Sequence, residues 1–177
     1  GNLYVTEITE GRVSVRAPDG KTRVLYGDLP CANPITFHQG RLFAGECRPD
    51  GRIVELDLAG GARRIVLENV PMPNAMEVGP DGMLYIPVMG SNEIWRVSLE
   101  GGAPQKVARE LGVPDAVKFD AQGHIVSTQV ASGQVLRIDP RELIVADTVF
   151  HDPEFRSLFN LLGRIVRPEP QVMFDSS

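Results

Sequence analysis

Cysteine is scarce. Cys31 and Cys47 are the only two in 177 residues, and their spacing excludes a CxxC metal-binding pair. Cys31 would stand just before the first strand of a repeat, and Cys47 at the end of the second. The reading taken is two free, partly buried thiols, with a disulfide across the antiparallel pair as the alternative, so the redox compartment stays open. Histidine occurs three times, and His38, His124 and His151 are not spaced as a metal-ligand set. His38 and His124 fall in or beside turns and read as surface residues. No apolar run approaches the ~20 residues of a membrane helix, so no membrane partner is expected. Positive charge is not in excess: 18 Lys and Arg against 23 Asp and Glu leave a net charge of −5, and nothing points to nucleic acid. There is no GxxxxGK[ST] phosphate loop and no GxSxG elbow. The chain opens at Gly1, inside what reads as a repeat, so any targeting segment would lie upstream. The compartment is left open, with the cytoplasm favoured.

What is present is a repeat. Pro73-Asn74-Ala75-Met76-Glu77-Val78-Gly79-Pro80-Asp81-Gly82-Met83-Leu84-Tyr85-Ile86 runs from a polar residue after proline, through a short apolar stretch and a turn, into a second apolar stretch. Asn33 to Ala44 and Pro114 to Val126 follow the same plan. The turn glycines Gly1, Gly40, Gly82 and Gly123 are 39, 42 and 41 residues apart. A period near 40 built of short strands is the mark of a β-propeller. Strands are expected at 2–8, 12–16 and 22–26, then at 34–38, 41–46, 52–58 and 62–67. A third group falls at 75–79, 83–88, 93–99 and 104–108, and a fourth at 116–119, 124–129, 134–138 and 143–149. Turns a few residues long make these antiparallel meanders. The predicted fold is therefore all-β, a propeller of four-stranded antiparallel blades, about three complete and one partial. The partial blade's first strand would lie before Gly1. Residues 1–149 form the blades. Residues 150–177 read as a short amphipathic helix, over about 153–166, and a polar tail. An incomplete ring leaves open strand edges, which favour self-association.

In a propeller the first strand of each blade lines the axis. Asn33, Asn74 and Asp115 stand at the start of that strand, 7, 8 and 8 residues before the turn glycine. Two amides and a carboxylate at equivalent places offer hard oxygen ligands, suited to Ca²⁺ or Mg²⁺ and less well to Mn²⁺ or Zn²⁺. Six residues beyond each turn glycine stand Glu7, Glu46, Val88 and Gln129. Antiparallel pairing puts these beside the strand starts. Glu46 and Gln129 are the expected contacts to a hydroxylated ligand. Trp95 is expected to pack between blades.

The stretches around Asn74 and Asp115 resemble the blade motifs of the senescence marker protein, gluconolactonase and luciferin-regenerating enzyme family. The blade pattern is shared with NHL-repeat proteins. The resemblance covers about residues 1–140. It implies a six-bladed propeller that hydrolyses sugar lactones and related esters with one divalent cation, Ca²⁺ foremost. It implies Asn33, Asn74 and Asp115 as metal ligands, and Asp115 as general base. The family's glutamate ligand falls in the strand before Gly1, and Ala116 replaces a glycine. The expected partner is a small lactone or sugar-like substrate. The alternative is a non-catalytic propeller that binds a ligand or protein. A streptogramin-type lyase propeller leans on histidine, and the histidines here are poorly placed for it.

Overall fold

Over residues 1–141, short runs of β-branched and aromatic residues, broken by turn residues, favour strands. The computed structural model describes residues 1–141, 144–151 and 172–174. Among these residues the strands are β1 (Leu3–Glu7), β2 (Arg12–Arg16), β3 (Thr22–Tyr26), β4 (Ala32–His38), β5 (Arg41–Glu46), β6 (Gly51–Leu56), β7 (Arg63–Val70), β8 (Glu77–Val78), β9 (Met83–Val88), β10 (Glu93–Ser98), β11 (Gln105–Ala108), β12 (Pro114–Phe119), β13 (Ile125–Gln129), β14 (Gln134–Asp139), β15 (Ile144–His151) and β16 (Val172–Phe174). They form four four-stranded antiparallel sheets, the blades of a β-propeller. The turn glycines Gly40, Gly82 and Gly123 have φ of 80, 75 and 83°, a backbone that side chains resist, which is why the repeat keeps glycine there.

The chain divides into two units, Gly1–Pro73 with Pro168–Ser177, and Asn74–Arg167. The first unit holds the sheets β16-β1-β2-β3 and β4-β5-β6-β7. Its core includes Tyr4, Val13, Leu29, Leu42, Val54 and Leu56, and Tyr4 stacks on Phe37 with ring centroids 5.7 Å apart. The second unit holds β8 to β11 and β12 to β15. Its core includes Tyr85, Ile94, Leu111, Val117, Ile125 and Ile138, and Tyr85 meets Phe119 edge-on at 4.9 Å.

Several expectations change. The first blade is completed by Val172–Phe174, which pairs with β1 at Leu3↔Phe174, Tyr4↔Met173 and Val5↔Val172. The place assigned upstream of Gly1 is thus taken by three residues of the predicted tail. The first strand of the third blade is short: only Glu77–Val78 pairs with β9. The helix expected over 153–166 lies outside the described residues. Cys31 and Cys47 form a disulfide rather than two free thiols. Pairing of Ala32 with Glu46 places the two cysteines just beyond it, and the Cys47 N–H donates to the Cys31 carbonyl at 2.9 Å. Their Cα atoms are 5.3 Å apart, within the range a disulfide spans. Trp95 is half-buried in a polar cluster: its indole N–H donates to Glu93 at 2.7 Å and Lys106 lies over its ring.

Candidate functional site

Three blade starts repeat one local device. Cys31, Met72 and Val113 have φ of 56, 54 and 61°, and each stands two residues before Asn33, Asn74 or Asp115. A β-branched valine in the left-handed region is an outlier, held there by its surroundings. The strand register then slips. The β4–β5 register shifts between Ala32 and Ile35, across Asn33. The β12–β13 register shifts between Pro114 and Ala116, across Asp115. An extra residue of this kind re-aims a side chain at the end of a sheet.

In the second unit two blade starts meet. Val117 N–H donates to the Ala75 carbonyl at 3.2 Å, and Ala75 and Ala116 form a parallel bridge. The side chains one position earlier then face each other. Asn74 Nδ2 donates to Asp115 Oδ1 at 2.6 Å, and also lies 3.1 Å from Met89 Sδ. Asn74 Oδ1 accepts from Ala75 N–H at 2.9 Å, and Asn74 N–H donates to the Pro87 carbonyl at 3.0 Å. Asn74 is buried and its amide is held at both ends. Burial pushes the Asp115 carboxyl up from the ordinary aspartate range, because the charged form loses water.

Asp115 opens onto a cavity of about 240 Å³, lined also by Thr128, Gln129, Val130, Gly133, Gln134 and Val135. Thr128 Oγ1 accepts the Ala116 N–H at 3.2 Å. Gln129 is 1% exposed and stands opposite Pro114 in the ladder. Its Nε2 donates to Ser127 Oγ at 2.9 Å, while its Oε1 is buried with no hydrogen-bond partner among the described residues. Ser132 Oγ is likewise buried and unpartnered. A Cβ on Gly112 would lie 2.6 Å from that hydroxyl and 3.4 Å from Gln129 Cβ, so only glycine lets this loop lie so close.

The remaining predicted residues lie in the first unit. The carbonyl of Asn33 accepts from Thr6 Oγ1 at 3.0 Å. Glu46 is buried opposite Ala32, and both its oxygens take donors from Arg52, Nε at 2.9 Å and Nη2 closer. A ligand there would meet an ion pair rather than a lone carboxylate. Glu7 is bound by Arg12 at 2.6 Å and by Ser14; the Arg12 hydrogen bond leads in holding its carboxyl below the usual range. Among the described residues, no three His, Cys, Asp or Glu side chains are grouped to hold a metal. Any cation site here relies on amide oxygens.

The sequence did not single out Ser127, which fixes the Gln129 amide. Its signal was available: residues two apart on a strand share a face.

No family model matches the chain. A stretch of 43 residues is 60% identical to the DNA mismatch repair protein MutS of Rhizobium meliloti (strain 1021), and covers 24% of this chain and 5% of that protein. A chain of the crystal structure of the nidogen/laminin complex superposes with a TM-score of 0.77 at 22% identity, over 87% of this chain and 60% of that one. Catalytically inactive virginiamycin B lyase from Staphylococcus aureus with quinupristin gives 0.69 at 18% identity, over 89% and 54%. Both solved relatives are β-propellers, and at these identities the likeness carries the fold alone. This chain spans only part of the length of each.

Proposed function

We propose that this chain carries the catalytic part of a metal-dependent hydrolase of lactones or related esters, with Asp115 at its centre. One observation supports this most: a half-buried carboxyl, held by an amide at 2.6 Å, opens onto a cavity. Asp115 offers a hard oxygen to a divalent cation; Asn74 would join it only by turning its amide, because its Oδ1 takes the Ala75 N–H and its Nδ2 faces the carboxylate. When bound, such a cation supplies a Lewis acid for the ester carbonyl. Asn74 fixes Oδ1 of Asp115, and Oδ2 carries no hydrogen bond among the described residues, so it is free to take a proton from water. Burial alone raises the Asp115 carboxyl, and a bound cation would bring it back down, so that it would be ionised and able to act as a base at neutral pH. Val130 and Val135 give the cavity apolar walls.

The test is thermal unfolding of chelated protein with Ca²⁺, Mg²⁺, Mn²⁺ or Zn²⁺, beside lactone hydrolysis. At 100 times its Kd a cation adds about 2.7 kcal/mol, roughly 5–10 °C for a chain this size. Asp115→Asn should abolish that rise and cut turnover about 10²–10⁴-fold. A wild-type protein with neither response sinks the reading.

A second reading, a ligand- or protein-binding propeller, draws on one observation in the first unit. Glu46 is committed to Arg52, as expected of a structural strand end. The likeness to a structure of the nidogen/laminin complex is compatible with it.

A further inference from the structure

Asp115 is a recessed carboxylate without a counter-charge. Glu46, Glu93 and Asp139 are more buried than Asp115, and each is paired with a cation: Arg52, Lys106 and Arg141 in turn. That is the ordinary arrangement, because a charge withdrawn from water needs an opposite charge beside it. Asp115 instead holds a neutral amide, Asn74 Nδ2 at 2.6 Å, and no Lys, Arg or His pairs with it among the described residues. It opens onto the cavity of about 240 Å³, and it is the one ionisable group among the described residues that line it. Val130 and Val135 give that cavity apolar walls, and Thr128 and Gln134 bring side-chain oxygens that can accept. Its volume is below the ~300–1,000 Å³ of sites for drug-sized ligands, which suits a small molecule.

We propose that this cavity binds a small organic cation, with a primary ammonium seated on Asp115 and a compact apolar body against Val130 and Val135. The proposal rests on the reading of the Asp115 cavity as a ligand site, and it needs no hydrolysis. An ammonium carries one positive charge, matched to the one carboxylate, and three N–H donors. One donor serves Asp115, which leaves two for the oxygens of Thr128, Gln134 or water. The apolar walls keep water from one side of the ion pair, so the charges attract more strongly than at an exposed carboxylate. A neutral analogue of the same shape gains the walls but not the charge.

The experiment titrates the full chain by calorimetry near neutral pH, after chelation so that no metal competes for the carboxylate. The probes are cyclopentylammonium and cyclopentanol, which share a ring and a hydrogen-bond donor and differ in charge. The wild type should bind the ammonium at least about tenfold tighter than the alcohol. Asp115→Asn keeps the shape and removes the charge. It should bring the ammonium down to the alcohol's affinity and leave the alcohol unchanged. Thr128→Lys, at an exposed position, supplies the missing counter-charge from the chain itself and should also remove the ammonium's advantage. It keeps the test decisive where Asp115→Asn does not fold. Equal affinities in the wild type, no saturable binding of the ammonium, or an advantage that persists in either folded variant overturns the proposal. Metal response and lactone hydrolysis are measured separately. Ammonium binding without either sinks only the hydrolase, and hydrolysis without ammonium binding sinks only this proposal.

Discussion

Glu55 shows how a single carboxylate ties one blade together and makes its stability depend on acid. Arg41 grips it with Nε at 2.7 Å and Nη2 at 2.9 Å, and Arg64 adds Nη2 at 2.6 Å. The Arg41 hydrogen bond leads, opposed by burial and reinforced by Arg64, and the carboxyl falls from an ordinary 4.5 to about 2. A depressed carboxylate stabilises the fold above its unfolded pKa, and that contribution is lost as pH falls from about 4.5 toward 2. The gap corresponds to roughly 3 kcal/mol; screening of a side chain 21% exposed brings the expected figure to about 1–2 kcal/mol. Urea unfolding of Glu55→Gln at pH 7 and pH 3 checks this. The variant should be weaker by that amount at pH 7 and by clearly less at pH 3. An identical loss at both pH values would mean the carboxylate's charge is not what matters.

At the scale of the strand, the blade start is where the sequence stopped being a guide. The polar residue after proline marked Asp115 at the head of β12, but Asn74 falls three residues before the short β8; the six-residue offset put Gln129 opposite Pro114, next to Asp115. Neither the left-handed backbone at Met72 and Val113 nor the register slip at Asp115 has a residue signature. Valine and methionine are poor choices for positive φ, and only the packed loop holds them there. The disulfide, held as the alternative to two free thiols, was ranked second for the same reason. Cys31 shares that left-handed conformation, with φ of 56°, which turns the chain so that residue 31 faces residue 47 across the β4–β5 pair. The ion pair of Glu46 with Arg52 joins adjacent strand ends, a neighbour relation that the offset rule did not weigh. The bridge spans 16 positions of sequence, so it should contribute about 3 kcal/mol by restricting the unfolded chain. Unfolding with and without reductant measures it, with the Cys31→Ser, Cys47→Ser pair as control. In a reducing cytoplasm the bridge would open. A midpoint indifferent to reductant would show that the strands alone hold the blade start.

For the whole molecule the period of the turn glycines was enough to count blades, because a meander needs its tight turns at fixed intervals whatever the strands contain. It could not find β16. Val172–Phe174 carries no repeat and stands far from its partner in sequence, and pairing at such separation depends on the ends meeting in space. Its place matters because β1 would otherwise present an open edge of backbone donors and acceptors. The pairs Leu3↔Phe174, Tyr4↔Met173 and Val5↔Val172 cover that edge. Removing residues 168–177 should therefore expose Leu3 to Val5 and lower the unfolding midpoint by several degrees. The shortened chain should also self-associate at concentrations where the longer one does not, as edge strands do when uncovered. Sedimentation of the two forms over a range of concentrations measures this. Restoring the strand as a free peptide spanning 168–177 should return the shortened chain to the state of the longer one. If the two forms sediment alike and melt alike, β16 contributes nothing to the blade, and the edge of β1 is guarded by its own short length.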